Sequence, residues 1–256
     1  MTSGSAVVVL SGGQDSTTAL FWAKGLFDEL YAITFDYGQR HSIEVDAAMK
    51  VAKLAGVAKH EVIDCAGLLC SASPLTSSAP LEKYADYKQM DKVIGKRVEV
   101  TFVPMRNTFF LTLAMNRAVA WGARRVVLGI CQEDNANYPD CTERFRGSFE
   151  TMTNISLGRR LLAERICLLA PLMHMSKAQT CQLAHSMPDC WEALAYTHTS
   201  YDGRYPPTDM NHANVLRAHG FEQAGLPDPL VLRAVREGLM ELPNTDNYSD
   251  FVVARG

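Results

Sequence analysis

The sequence predicts an α/β protein built on a doubly wound, parallel, Rossmann-type sheet. Three observations predict it. The first ninety residues alternate strand, helix, strand, helix, strand, which implies right-handed crossovers and parallel pairing. Residues 6–10 are a continuous apolar run, as expected for a strand covered on both faces. A glycine pair follows that run directly and opens a helix.

Each element follows from its own pattern. After the first strand, residues 16–24 read as a helix stopped by Gly25, and 30–35 as the second strand. Residues 43–54 carry apolar side chains at helical spacing and close at Gly56; 60–64 form a short third strand. Residues 70–97 lose periodicity, hold Pro74, Pro80 and a Ser/Thr cluster, and are expected to be a long loop. A strand is expected at 98–103, a helix at 107–121 ended by Gly122, and a strand at 126–129. Residues 132–142 are polar and read as a loop, followed by a helix at 143–155, a strand at 165–169 and a helix at 177–187. Residues 191–229 are rich in Tyr, Thr, His, Asn and Pro and read as irregular, before a final helix at 229–239. The expected division is an α/β domain over 1–190 and a C-terminal segment, 191–256, packed on it.

Composition excludes several classes. A chain of 256 residues, 47% hydrophobic, is long enough for one large core. A net charge of -3 argues against a general nucleic-acid binder. No apolar run approaches the about 20 residues a membrane helix needs, and no basic stretch precedes an apolar one at the N-terminus. The seven cysteines are odd in number and scattered, so they read as reduced thiols. A cytoplasmic protein is expected.

The sharpest motif is Ser11-Gly12-Gly13-Gln14-Asp15-Ser16, between the first strand and the first helix. Two glycines let the backbone turn tightly and approach a ligand with no Cβ in the way. The freed N–H groups and the helix N-terminus make an anion site, to which Ser11 and Ser16 add hydroxyls. Asp15 is an acid beside phosphates and would hold Mg²⁺ against them. The spacing lacks the Gly-Lys-Ser/Thr of a Walker loop. It resembles instead the SGGxDS pyrophosphate loop of PP-loop ATPases, which split ATP between the α- and β-phosphates.

Further motifs narrow the resemblance. Phe35-Asp36-Tyr37-Gly38-Gln39-Arg40-His41, Val103-Pro104-Met105-Arg106-Asn107, Gly129-Ile130-Cys131-Gln132-Glu133-Asp134, Tyr138-Pro139-Asp140-Cys141 and Pro171-Leu172-Met173-His174-Met175-Ser176-Lys177 occur in that order. The series is similar to the 7-cyano-7-deazaguanine synthases over most of residues 7–229. That resemblance implies ATP and Mg²⁺ as cofactors and a small 7-deazaguanine acid as substrate. It implies adenylation of 7-carboxy-7-deazaguanine, conversion by ammonia to the amide, and dehydration to the nitrile with a second ATP, a step of queuosine biosynthesis. It also implies a homodimer.

The residues make physical sense beside the name. Phe35 and Gly129 lie at strand ends where a nucleotide is expected. Arg106 can pair with phosphate or carboxylate, next to Asn107. Lys177, at a helix start, offers a cation to the leaving pyrophosphate. Asp15, Arg106 and Lys177 are therefore the candidate catalytic residues. Glu133, Asp134 and Asp140 are either acceptors for the donor edge of a guanine or a solvated acidic loop; Tyr37 and Tyr138 either stack on a base or pack.

The chain departs from the family in two places. The family's four zinc cysteines, spaced C-x7-C-x2-C-x2-C, fall here on Ser200, Thr208, Asn211 and Asn214, and neutral hydroxyls and amides are poor zinc ligands. Zinc is not expected; a rebuilt site would have to come from His198, His212, His219, Asp202 and Asp209. Met105 stands where the family commonly has glycine. Two other outcomes follow from these departures. A diverged relative, of the kind found in bacterial antiviral gene clusters, would pass the activated acyl group to an amine on an acceptor protein. A nucleotide-binding subunit would do no chemistry, a reading that Asp15, Arg106 and Lys177 argue against.

Overall fold

The computed structural model describes residues 4–38, 43–77, 79–132, 137–159, 164–201 and 203–252. Five parallel strands form the sheet: β1 (Ser5–Val9), β2 (Glu29–Asp36), β3 (Lys59–Asp64), β4 (Arg125–Leu128) and β5 (Cys167–Leu169). Their order is β3-β2-β1-β4-β5. Val8 pairs with Ala32 on one side and Val127 on the other, so β1 is the central strand from which the chain winds both ways. Ligands of such sheets bind at the carboxyl edge where the winding reverses. Here that edge lies between β1 and β4.

Period-two alternation along β1 divides the core. Ala6, Val8 and Leu10 join one buried cluster with Leu20 of α1 (Gln14–Lys24), Val51 of α2 (Ile43–Ala55), Cys181 of α6 (Lys177–His185), Leu194 of α7 (Pro188–Leu194) and Phe221 of α8 (His212–Ala224). Val7 and Val9 join the other, with Leu111 and Met115 of α4 (Arg106–Ala120) and Phe149 of α5 (Glu143–Ser156). Helices therefore cover both faces, which is why β1 reads as an unbroken apolar run. Residues beyond 190 share the first cluster, and truncating a side chain as buried as Phe221 typically costs about 3–5 kcal/mol.

Three sequence expectations are corrected. Residues 98–103 form no strand: the Glu99 carboxylate accepts the Thr101 N–H at 2.6 Å and its hydroxyl, folding the segment into a buried turn. The expected loop at 70–97 contains α3 (Tyr87–Ile94), whose first turn is capped by Asp86 accepting from Gln89 N at 2.8 Å. The expected irregular stretch 191–229 contains most of α7 and all of α8, followed by α9 (Pro229–Arg236) and the short α10 (Ser249–Val252). α8 lacks a helical stripe because His212, Ala213, Val215, Leu216, Arg217, Gly220 and Phe221 bury it on several sides.

One contact braces this C-terminal part internally and another ties it to the turn after β1. Arg217 and Asp228 form a bidentate pair at 2.6 and 2.8 Å, each under 6% exposed. His198 N donates to Gly12 O at 2.9 Å, joining the segment to the turn after β1.

Candidate active site

The turn after β1 is shaped by backbone packing. Gly12 has φ +82°, and a Cβ there would lie 2.3 Å from the Glu44 carbonyl oxygen at the start of α2. Gly13 caps α1 with no side-chain hydrogen bond, leaving the helix N-terminus turned to the crevice. The Ser11 and Ser16 hydroxyls lie 3.0 Å apart, and Ser16 Oγ also accepts from Ser11 N. On the β4 side, a Cβ at Gly129 would lie 2.7 Å from Ser16 N and Cα. Gly129 thus lets the end of β4 abut the first turn of α1.

A cavity of about 710 Å³ opens at this edge. It is lined by Ser11, Gly13, Gln14, Asp15 and Ser16, by Phe35 and Gly129, and by Arg106, Asn107, Tyr138 and Lys177. The structure therefore brings residues from six separate segments to one concavity of ligand size.

Lys177 Nζ lies 2.8 Å from Asp15 Oδ2, with both side chains largely buried. Asp15 Oδ1 is buried without a hydrogen-bond partner. Phe35 stacks on Phe110, ring centres 4.2 Å apart and planes 5° apart, giving the cavity an aromatic wall.

Arg106 sits deeper, its guanidinium 6.0 Å from the Tyr37 ring centre. Burial works against its charge and the Asp140 carboxylate favours it; the guanidinium stays protonated at neutral pH. Burial in turn pushes the Tyr37, Tyr138 and Tyr201 phenols up, so at neutral pH the surroundings of Arg106 are hydroxyls, not phenolates. Asp140 stands behind the wall formed by Tyr138, Pro139 and Cys141 and is 7% exposed. Its carboxylate accepts Asn107 N at 3.4 Å, at the start of α4. Burial raises its pKa, against the pull of Arg106. Glu133 and Asp134 lie outside the described residues, as do Gln39, Arg40, His41 and Asp202.

With this geometry in view, the comparisons with known proteins decide the family. The family model described as queuosine biosynthesis protein QueC matches residues 5–225. The chain belongs to the QueC family. It is 43% identical over 232 residues to the 7-cyano-7-deazaguanine synthase of Laribacter hongkongensis, covering 89% of this chain and 94% of that protein. It is 42% identical over 229 residues to the synthase of the same name from Gloeobacter violaceus, covering 88% and 94%. Among solved structures, a 4-thiouridine synthetase–RNA complex with bound ATP matches with TM-score 0.49 and 18% identity, over 92% of this chain and 53% of that one.

Within the QueC family, this chain's two departures have structural counterparts. Met105 takes φ +65°, a left-handed conformation that glycine adopts without strain, at the N-cap of α4. Three of the four positions that carry cysteine in the family are joined by hydrogen bonds. Ser200 Oγ accepts from Asn211 Nδ2 at 3.1 Å and Asn214 Nδ2 at 2.9 Å, and Asn211 Oδ1 accepts Asn214 N at 3.2 Å. His198 Nε2 bonds Ser200 O at 2.7 Å and His219 stacks on Tyr87, so these two are engaged elsewhere. Among the described residues, no three His, Cys, Asp or Glu side chains are grouped to hold a metal.

Glu44, Phe110, Tyr201 and His212 are among the further residues that line the cavity. Phe110 lies one turn after Arg106 and Glu44 in the first turn of α2, so each was visible as a helix-face position. From the sequence, His212 is a candidate only for a rebuilt zinc site. It is 5% exposed, both ring nitrogens are buried without partners, and burial together with the Lys177 charge lowers its pKa to about 4.

Proposed function

We propose that this chain adenylates 7-carboxy-7-deazaguanine and converts the activated acid, through the amide, to 7-cyano-7-deazaguanine. The observation that carries the reading is the meeting of Asp15 and Lys177 at the turn after β1, with Arg106 in the same cavity. The relatives' name supplies the product.

The roles follow from the chemistry of each group. The open N-terminus of α1 and the hydroxyls of Ser11 and Ser16 face the ATP phosphates. Gln14 lies within the same turn. Asp15 fits a divalent cation, because Oδ1 is a buried acceptor with no partner. Mg²⁺ bound there would neutralise phosphate charge during displacement. Lys177 places a fixed cation where pyrophosphate charge develops. Phe35 and Phe110 offer an apolar surface to the adenine. Arg106, kept charged and flanked by Asn107, pairs with the substrate carboxylate and aims it at the α-phosphorus. Tyr138 stands beside the bound base, with Asp140 fixing the start of α4 from behind; an acid such as Glu133 or Asp134 would suit its guanine edge as an acceptor.

The reaction then proceeds in order. A carboxylate oxygen attacks the α-phosphorus and pyrophosphate leaves. Ammonia displaces AMP from the acyl carbon, and a second adenylation on the amide oxygen permits loss of AMP to the nitrile. Isotope exchange between pyrophosphate and ATP tests the first step. Exchange should require 7-carboxy-7-deazaguanine; exchange with no acid present, or none with it, would reject the reading.

A further inference from the structure

We infer that Glu44 is the general base of this site, taking the proton from the nitrogen that attacks the acyl-adenylate. The inference rests on the adenylation reading above and adds a residue to it.

Position is the first argument. The Glu44 carbonyl is packed against Gly12 so closely that a Cβ there would be 2.3 Å away, which fixes the first turn of α2 to the phosphate turn. Glu44 lines the cavity, with its carboxylate in electrostatic reach of Arg106 and Tyr37. The acyl carbon must lie between the α-phosphate at the turn and the carboxylate-binding Arg106, and Glu44 borders that space.

Availability is the second. Asp15 is engaged by Lys177, Asp140 by the Asn107 N–H, and Glu99 by Thr101 and Tyr138. Among the described residues, the Glu44 carboxylate has no hydrogen-bond or ion-pair partner. The charged and titratable groups that face it, among the described residues, are Arg106 from α4, Tyr37 after β2 and Tyr201 from the C-terminal segment. The two phenols are held neutral by burial and cannot serve as bases. Burial raises the Glu44 carboxyl to about 7, with Arg106 opposing. A base of that strength both accepts and returns a proton near neutral pH.

The step balances. The ammonia lone pair forms the C–N bond, and the C–O bond to AMP breaks with its electrons on the phosphate oxygen. The nitrogen sheds one proton to the Glu44 carboxylate, which passes it to water. Acyl-adenylate and ammonia thus give amide, AMP and one proton. When the adenylated amide collapses to the nitrile, its nitrogen again loses protons, and the same carboxylate is placed to receive them.

The test uses the full chain with Glu44→Gln and Glu44→Asp. Acid-dependent pyrophosphate exchange reports adenylation, which needs no base. Single-turnover amide formation, with rates referred to free ammonia at each pH, reports the second step. Glu44→Gln should keep exchange within about threefold and lower amide formation at least about 100-fold. It should also abolish the rise in rate through pH 7 shown by the wild type, and Glu44→Asp should restore part of that rise. Amide formation by Glu44→Gln at the wild-type rate, with the rise intact, would overturn the assignment. Loss of exchange in Glu44→Gln would also overturn it, placing the residue in adenylation or in the scaffold. A wild type without exchange would overturn the adenylation reading itself.

Discussion

Lys177 Nζ meets Asp15 Oδ2 at 2.8 Å across 162 residues of sequence. The contact joins the first turn of α1 to the first turn of α6, and a glycine makes it possible. A Cβ at Gly220 of α8 would lie 2.2 Å from Lys177 Cγ. Replacing Asp15 with Ala removes the acceptor for the cation and leaves Lys177 without its acidic partner. Acid-dependent pyrophosphate release should fall by about 100-fold or more in a protein that circular dichroism shows to be folded. Unchanged turnover would remove Asp15 from the mechanism.

The two tight glycines should separate activity from stability. Gly220→Ala pushes on the Lys177 stem, so it should lower pyrophosphate exchange while leaving a folded protein. Gly129→Ala pushes on the backbone of Ser16, which cannot rotate away, and overpacking of that kind costs about 1–3 kcal/mol. Denaturant melts of the two variants beside exchange rates would show the difference; equal melts for wild type and Gly129→Ala would mean the β4 end has room the structure does not show.

His212 should make the protein acid-sensitive. Its pKa in the fold is about 4, below the ordinary 6.5, so the unfolded chain binds the proton more readily. Stability from this residue is complete above about pH 6.5 and is lost as pH falls toward 4, amounting to about 2 kcal/mol by pH 5. Glu44, whose pKa is raised, acts in the opposite sense between 4.5 and about 7, so a variant is needed to isolate His212. His212→Leu should lose less stability than wild type between pH 7 and pH 5. Equal losses in urea melts would show that the imidazole finds a partner when protonated.

The knot of Ser200, Asn211 and Asn214 leads to a prediction about metal. A chelator should leave the melting temperature unchanged, and Asn211→Ala should lower stability by about 1–3 kcal/mol, because it strips hydrogen bonds from a site 1% exposed. Stoichiometric zinc by elemental analysis of purified protein would contradict this.

Much of this was legible in the residues, for physical reasons. β1 announced itself because burial on both faces demands an unbroken apolar run. The turn Ser11–Ser16 did so because only glycines pass that close to α2. What escaped had lost its local signal to tertiary context. Residues 98–103 alternate like a strand, yet Glu99 bonds Thr101 and makes a turn. α8 carries no stripe, since it is buried on several sides. Asp140 reads from sequence as an acceptor for a guanine edge, and the fold adds that its carboxylate accepts an N–H at the start of α4. Glu44 belongs to no motif, and only the fold shows it in the cavity within reach of Arg106.

The most direct test is a product spectrum. The protein, with ATP, Mg²⁺, 7-carboxy-7-deazaguanine and ¹⁵N-ammonia, should be followed by mass spectrometry over time. The account predicts that a ¹⁵N-labelled amide appears first and declines as the ¹⁵N-labelled nitrile accumulates, with AMP and pyrophosphate formed at each stage. ATP consumed without any change in the acid, or an acid left intact with no AMP formed, would contradict it.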